Sequence, residues 1–260
     1  MMDSKILSNT YQKVADLIKK SHSILVITGA GISADSGLPT YRGVGGIYEN
    51  QNTEDGLAIE DALSIEMFYR NPLLVWKYIK QLVVASEDKT YNDAHKILAE
   101  IEKEKHRLWI LTQNVDGFHI DAGSKNVIEI HGNLKHLVCN HCGYKEELKT
   151  YKNISLPPYC PKCNSVLKPN VVLFGEILPI EKITLLEKEL LKGFDLYLVI
   201  GTSGVFPYIY EPIFRAIYKK IPTIEINPTK TIFSSKVNIY LPERASLALK
   251  KIWEYYKSYI

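Results

Sequence analysis

Short apolar runs rich in β-branched residues recur along the chain and end in glycine or polar turns. Ser23–Thr28 (SILVIT) runs directly into Gly29-Ala30-Gly31, and residues 195–200 (DLYLVI) run into Gly201-Thr202-Ser203-Gly204. Arg107–Thr112 (RLWILT) and residues 127–130, 170–174, 223–227 and 237–241 are of the same type. Such runs, bounded by turn residues, predict strands. Between them lie segments with helical spacing: the first twenty residues, with Val14, Leu17 and Ile18 on one face, then 59–68, 73–85, 92–104 and 245–256. Asn71-Pro72 should split the second and third of these, because the residue before proline disfavours helical backbone. The Gly29 turn should open another helix. Alternating strands and helices predict an α/β fold with a parallel sheet. Two stretches depart from the alternation. Residues 41–55 hold Gly43, Gly45 and Gly46 and should form a long loop, and residues 134–169 hold every cysteine, four prolines and little periodicity.

Composition narrows the class. A chain of 260 residues with 46% hydrophobic content can bury one large core plus a satellite. Thirty-two Lys and Arg against twenty-nine Asp and Glu leave a net charge of +3, with the signs interspersed. Binding nucleic acid through counterion release asks for a denser basic stripe, so direct nucleic-acid binding is not expected. No apolar run approaches the roughly 20 residues that cross a bilayer, and the N-terminus lacks the apolar centre of a signal peptide. The expectation is a soluble, cytoplasmic protein.

The cysteines fall in two pairs, Cys139-x-x-Cys142 and Cys160-x-x-Cys163. Each pair can form a turn that aims two thiolates at one point, and two such turns complete a tetrahedron suited to Zn²⁺. Two disulfides or four free thiols are the alternatives. Four cysteines would make a closed, structural site, with His141 left as a solvent-facing turn residue.

Gly29-Ala30-Gly31-Ile32-Ser33-Ala34 fits G-x-G-x-x-[GA] directly after a strand, the pattern by which a glycine turn approaches a pyrophosphate at a helix N-terminus. An ordinary dehydrogenase would place its second strand within about 30 residues. Here the next strand begins near Arg107, so an insertion opens the pocket between the first two strands.

Taken in order, GAGISADSGLPTYRG (29–43), TQNVDGFH (112–119), IEIHGN (128–133), the four cysteines, VVLFGE (171–176), GTSGV (201–205) and EIN (225–227) resemble the sirtuin family over most of the chain. The resemblance implies a Rossmann-like NAD-binding domain (1–44, 86–133, 170–260), a cofactor loop with helical insertion (45–85) and a zinc-ribbon module (134–169). Gly29, Ala30, Gly31 and Ser33 resemble the NAD phosphate turn. Asp35, Pro39, Tyr41 and Arg42 resemble the loop that closes over NAD. Gln113, Asn114 and Asp116 resemble the floor of the nicotinamide pocket, Asn114 with a catalytic part. Gly201, Thr202, Ser203 and Asn227 resemble the adenosine side. Val172, Phe174, Gly175 and Glu176 resemble the acyl-lysine tunnel and the strand that pairs with a substrate peptide, with Leu173 where relatives often carry Trp. His131, between the apolar VIEI and Gly132, resembles the general base. His119 is expected to be structural, and His22, His95, His106 and His136 to lie at the surface or an interface.

The chemistry so implied is removal of an acyl group from protein lysine. The acyl oxygen attacks the nicotinamide ribose, histidine deprotonates a ribose hydroxyl, and nicotinamide and O-acyl-ADP-ribose result. NAD is consumed, and water must be kept out. Relatives selective for acidic acyl groups carry Tyr-x-x-Arg where this chain has Ile79 and Leu82. Tyr78 and Lys80 are offset by one residue, which turns a helical side chain by about 100°. Acetyl or a longer apolar acyl group is therefore expected. The rival functions are an NAD-dependent ADP-ribosyltransferase and a catalytically silent zinc-ribbon binding module.

Overall fold

The computed structural model describes residues 4–40, 53–84, 87–148 and 150–258. Tyr41 and Arg42, with the glycine-rich stretch that follows them, lie outside the described residues. In chain order the elements begin with α1 (Ser4–Lys20), β1 (Ser23–Thr28), α2 (Ile59–Ala62), α3 (Ile65–Arg70), α4 (Pro72–Val84) and α5 (Asp93–Glu104). There follow β2 (Arg107–Thr112), α6 (Phe118–Asp121), β3 (Val127–Glu129), β4 (Gly132–Val138), β5 (Lys145–Glu147) and β6 (Lys168–Val171). The rest is α7 (Ile180–Leu191), β7 (Leu196–Ile200), α8 (Pro207–Tyr218), β8 (Thr223–Ile226), β9 (Ile239–Leu241) and α9 (Ala245–Lys257).

Six strands form one sheet in the order β3-β2-β1-β7-β8-β9, every neighbouring pair parallel. Counted within that sheet the order is 3-2-1-4-5-6, the doubly wound Rossmann arrangement. Strand alternation builds a core on each face. Ile24 and Val26 of β1 join α1, α5 and α9 on one side. Leu25 and Ile27 face the other way, against α7 and α8.

A second sheet, β5-β4-β6, is antiparallel and carries the cysteines. It shares a third core with α2, α3 and α4, which holds Trp76, Leu137, Tyr151, Cys139 and Cys160. The Trp76 indole is fully buried and donates from Nε1 to the Leu167 carbonyl at 2.9 Å. The helical insertion and the cysteine module are thus one hydrophobic unit.

Four local expectations change. Residues 59–68 are two helices, because Ser64 caps the second by accepting from the Met67 amide at 3.1 Å. The strand expected at 170–174 is β6, which pairs with β4 in the small sheet and so lies outside the parallel one. The Gly29 turn leads into two short 3₁₀ turns, Ala30–Ile32 and Ala34–Ser36, ended by left-handed Gly37 (φ 82°). Finally, α7 and α8 go beyond the helices expected from the pattern. Prolines at 207 and 212 interrupt the periodicity of α8, and α7 buries only Leu186 and Glu189.

Candidate active site

The order of the main sheet reverses between β1 and β7, and ligands of open α/β sheets sit at the carboxyl ends of strands on either side of such a switch point. The loop after β1 carries Gly29 and Gly31, and the loop after β7 carries Gly201 and Thr202. The two loops touch. A Cβ on Gly31 would lie 2.6 Å from the Gly201 Cα, and one on Gly29 would lie 2.8 Å from the Thr202 Cβ. Gly29 N–H donates to the Ile200 carbonyl (3.2 Å) and Gly31 N–H to the Gly201 carbonyl (2.9 Å). In this structure, then, these glycines permit the close approach of two protein loops.

Polar side chains from the loops after β1, β2, β7 and β8 converge beside them. Buried Asn114 donates from Nδ2 to the Gly29 carbonyl and to Ser33 Oγ, both at 3.1 Å. Ser33 Oγ donates to Asp116 Oδ2 at 2.8 Å, and the other carboxylate oxygen of Asp116 accepts from the Phe118 amide at 3.0 Å. Desolvation pushes the Asp116 carboxyl above the usual range, against the pull of those two bonds. Gln113 Nε2 donates to Thr202 Oγ1 at 2.7 Å, and Asn227 Nδ2 donates to the Thr202 carbonyl at 3.2 Å. Amides, hydroxyls and a buried carboxyl are the donor and acceptor set that a carboxamide and ribose hydroxyls need, so these residues fit NAD.

His131 stands just after β3. A carbonyl can only accept, so the 2.9 Å contact with Gln113 O fixes the proton on Nδ1 and leaves the lone pair on Nε2. Burial lowers the affinity of the imidazole for a second proton, with the Gln113 carbonyl opposing it. Nε2 meets Tyr208 Oη at 2.6 Å. Gly132, at φ 84°, lies so close to β6 that a Cβ would stand 2.0 Å from the Asn170 carbonyl oxygen. The adjacent His131 carbonyl accepts from the Val172 amide at 2.8 Å. The backbone of Phe174 bonds Leu63 and Ile65, tying this stretch to the helical insertion. Gly175 is exposed at φ 76°. Glu176 accepts from buried Lys168 (2.8 Å) and from the Leu173 amide (2.9 Å).

Two expected site residues stand apart. Asp35 accepts from the Ser246 amide (3.1 Å) and from Arg244 (3.2 Å), which ties it to the start of α9, and Pro39 is exposed. Ser203 is also exposed, next to buried Thr202. His95 requires a correction: it is fully buried, packs edge-on to His119 at 4.8 Å and completes the cap of α5. His119 is buried too, with Nε2 3.0 Å from Thr28 Oγ1. Sequence reasoning missed Tyr208, Phe206 and Lys168. The aromatic pair flanking Pro207 after the GTSG turn is the one signal that pointed to the first two.

In the module, the four Sγ atoms lie within 4.8 Å of one another. Cys139 and Cys163 are 3.5 Å apart, and Cys142 and Cys160 are 3.6 Å apart. Sulfurs around a tetrahedral zinc with bonds of about 2.3 Å are about 3.8 Å apart, whereas a disulfide needs about 2.05 Å. The two turns match. Gly143 N–H donates to Cys139 O and Asn164 N–H to Cys160 O, each at 2.9 Å, with Gly143 (φ 71°) and Asn164 (φ 59°) both left-handed. The tetrad fits a structural zinc ion, and His141 is exposed outside it.

A doubly wound sheet with touching glycine loops, an anchored histidine and a tetrathiolate module defines a dinucleotide-binding α/β protein with a zinc ribbon. The chain belongs to the Sir2 family, whose description it matches over residues 29–207. It is 49% identical to NAD-dependent protein deacylase 2 of Pseudomonas aeruginosa, covering 89% of this chain and 91% of that one. It is 39% identical to an NAD-dependent protein deacylase of Aquifex aeolicus, over 90% and 95%. Among solved structures it resembles a mutant Sir2 homologue in complex with ADP-ribose (TM-score 0.85, 30% identity, 99% of this chain and 98% of that one). It also resembles a Sir2–p53 peptide–NAD+ complex (TM-score 0.80, 28% identity, 93% and 96%). Among the described residues, no helix is long and apolar enough to cross a membrane.

Proposed function

We propose that the chain is an NAD-dependent protein-lysine deacylase that acts on acetyl or longer apolar acyl groups and releases nicotinamide and O-acyl-ADP-ribose. The observation that carries this reading is His131: a neutral imidazole, its Nδ1–H held by Gln113 O, at the carboxyl end of β3 and in contact with Tyr208 at the start of α8. NAD, when bound, supplies the ribose carbon that accepts the acyl oxygen and nicotinamide as the leaving group. Gln113, Asn114 and Asp116 would hold the carboxamide end, Gly29, Ala30, Gly31 and Ser33 the phosphates, and Gly201, Thr202, Ser203 and Asn227 the adenosine end. His131 takes the hydroxyl proton at Nε2, a role for which burial keeps it unprotonated near neutral pH. Peptide is bound beside 172–176, and proteins bearing acyl-lysine are the proposed partners. The proposed NAD-binding domain is the parallel sheet with its helices, and the helical insertion and the zinc module, which share one core, form the second unit.

Support for an apolar acyl group comes from α4. Ile79 is buried and Leu82 half-buried in the core that also contains Phe174. Tyr78 is bonded to Asp55, and Lys77 pairs with the same carboxylate at 2.7 Å, so Asp55 holds both side chains.

The test is incubation with NAD and acetyl-, succinyl- and myristoyl-lysine peptides, following nicotinamide and peptide mass, with His131→Ala alongside. Nicotinamide released in step with loss of an apolar acyl group, and abolished in the variant, is expected. Nicotinamide without deacylation, together with ADP-ribose mass on protein, would make the chain a transferase. No NAD turnover with any peptide would leave a binding module.

A further inference from the structure

His131 has one basic nitrogen, and a side chain already holds it. With Nδ1 protonated toward Gln113, the 2.6 Å contact at Nε2 requires the Tyr208 hydroxyl to donate. A single lone pair takes one hydroxyl donor at a time, so Tyr208 and a ribose hydroxyl compete for the same nitrogen. We propose that Tyr208 is a positioning residue: its phenol stands in for the ribose hydroxyl at His131 and is displaced when the substrates bind. This rests on the reading of His131 as general base.

The surroundings fit a placeholder. Pro207 sets the first turn of α8 directly after the Gly201–Gly204 loop, which puts Tyr208 beside the switch point. Its ring stacks on Phe206 at 5.4 Å and 8°, and both rings meet the imidazole edge-on, at 90° and 83°. The pair therefore fixes the plane of His131, with the Tyr208 hydroxyl occupying Nε2. Burial pushes the phenol up to about 12, which favours a donor that keeps its proton over one that relays it. Among the described residues, the groups that bond to or stack on the His131 ring are the Gln113 carbonyl after β2 and Phe206 and Tyr208 at α8, and none of these carries a charge near neutral pH.

Tyr208→Phe removes the hydroxyl and keeps the stack. Donation into Nε2 stabilises the neutral imidazole, so the His131 titration followed by NMR in the free protein should move up by about 0.7 pH unit in the variant. The same free energy should appear as an approximately fivefold lower KM, with the gain absent from kcat. Saturating ADP-ribose should erase the difference between the two titrations, a readout that needs no turnover. Tyr208→Met, which also lacks the donor, should titrate like the Phe variant if both stay folded by circular dichroism. An unchanged His131 titration, a difference that survives ADP-ribose, or a tenfold fall in kcat at constant KM would overturn the proposal. Absence of NAD turnover in wild type would sink the deacylase reading while the titrations still decide this one.

Discussion

Gly31 and Gly201 meet back to back at the switch point. A Cβ on Gly201 would stand 2.5 Å from the Ile32 amide nitrogen, and one on Gly31 would stand 2.6 Å from the Gly201 Cα. The obstacle on each side is backbone, which cannot swing away as a side-chain tip can. The 2.9 Å bond from Gly31 N–H to Gly201 O closes the contact. The proposed cofactor site is thus framed by two strands' loops locked to each other.

Gly31→Ala should therefore cost about 1–3 kcal/mol of stability, the usual range for overpacking. It should also weaken NAD binding at least tenfold, because Asn114 bonds Gly29 and Ser33 on the loop that must move. Thermal melts and calorimetric titration with NAD check this. Wild-type affinity in a folded variant would show that the loops can separate without disturbing the pocket.

The tetrathiolate is tied to the insertion through one core. Cys139 and Cys160 are buried with Trp76 and Tyr151, and the Trp76 indole bonds the Leu167 carbonyl of the same module. One zinc per chain is expected by elemental analysis. Chelation, or Cys139→Ser, should alter Trp76 fluorescence and abolish deacylation even though zinc touches no reacting atom. Full activity after metal removal would mean the module folds without its ion.

Much of this was legible in the sequence because each main strand is an apolar run that stops at a glycine or polar turn. The β1 run was read to the residue, and the two cysteine pairs converge as their spacing requires. What escaped depends on pairing between distant segments or on side-chain direction. Nothing local in residues 168–171 says that they pair with β4 rather than join the parallel sheet. Asp35 sits inside a recognisable motif, yet its carboxylate turns to α9. Tyr208 belongs to no motif, and its relation to His131 exists only once α8 has packed. His95 belongs to no motif, which is why the surface or an interface was expected for it, although α5 turns it inward with Ala94, Leu98 and Ala99.

Lys168 and Glu176 form a second link across the site. The Lys168 side chain is 5% exposed, donates to Glu176 at 2.8 Å and also reaches the Val171 carbonyl, so β6 and the 172–176 stretch are held as one piece. Lys168→Met leaves the partly exposed Glu176 carboxylate with only the Leu173 amide and should destabilise by about 1–3 kcal/mol, below the range for a fully buried pair. The double variant Lys168→Met/Glu176→Gln should recover part of that loss. Denaturant midpoints measure both, and equal losses in single and double variants would show that the charges are uncoupled.

The buried histidines set the acid sensitivity. Desolvation lowers the His95 imidazole to about 4, and His119 lies well below its ordinary value for the same reason, with the neighbouring His95 adding to it. An unfolded histidine titrates near 6.5. Between those two values the unfolded chain binds a proton that folded His95 refuses, so stability rises with pH across that window. Stability from this group is complete above pH 6.5, is lost as pH falls toward 4, and levels off below. Its size is at most about 3 kcal/mol, from about 2.5 pH units at 1.36 kcal/mol each. His95→Gln keeps a polar group near the Asn92 amide and Ser33 but cannot titrate. Its stability, measured by urea unfolding at intervals from pH 7 to pH 4, should fall less steeply than wild type, leaving the His119 contribution. Parallel curves for the two proteins would mean that His95 takes up its proton in the fold at the same pH as in the unfolded chain.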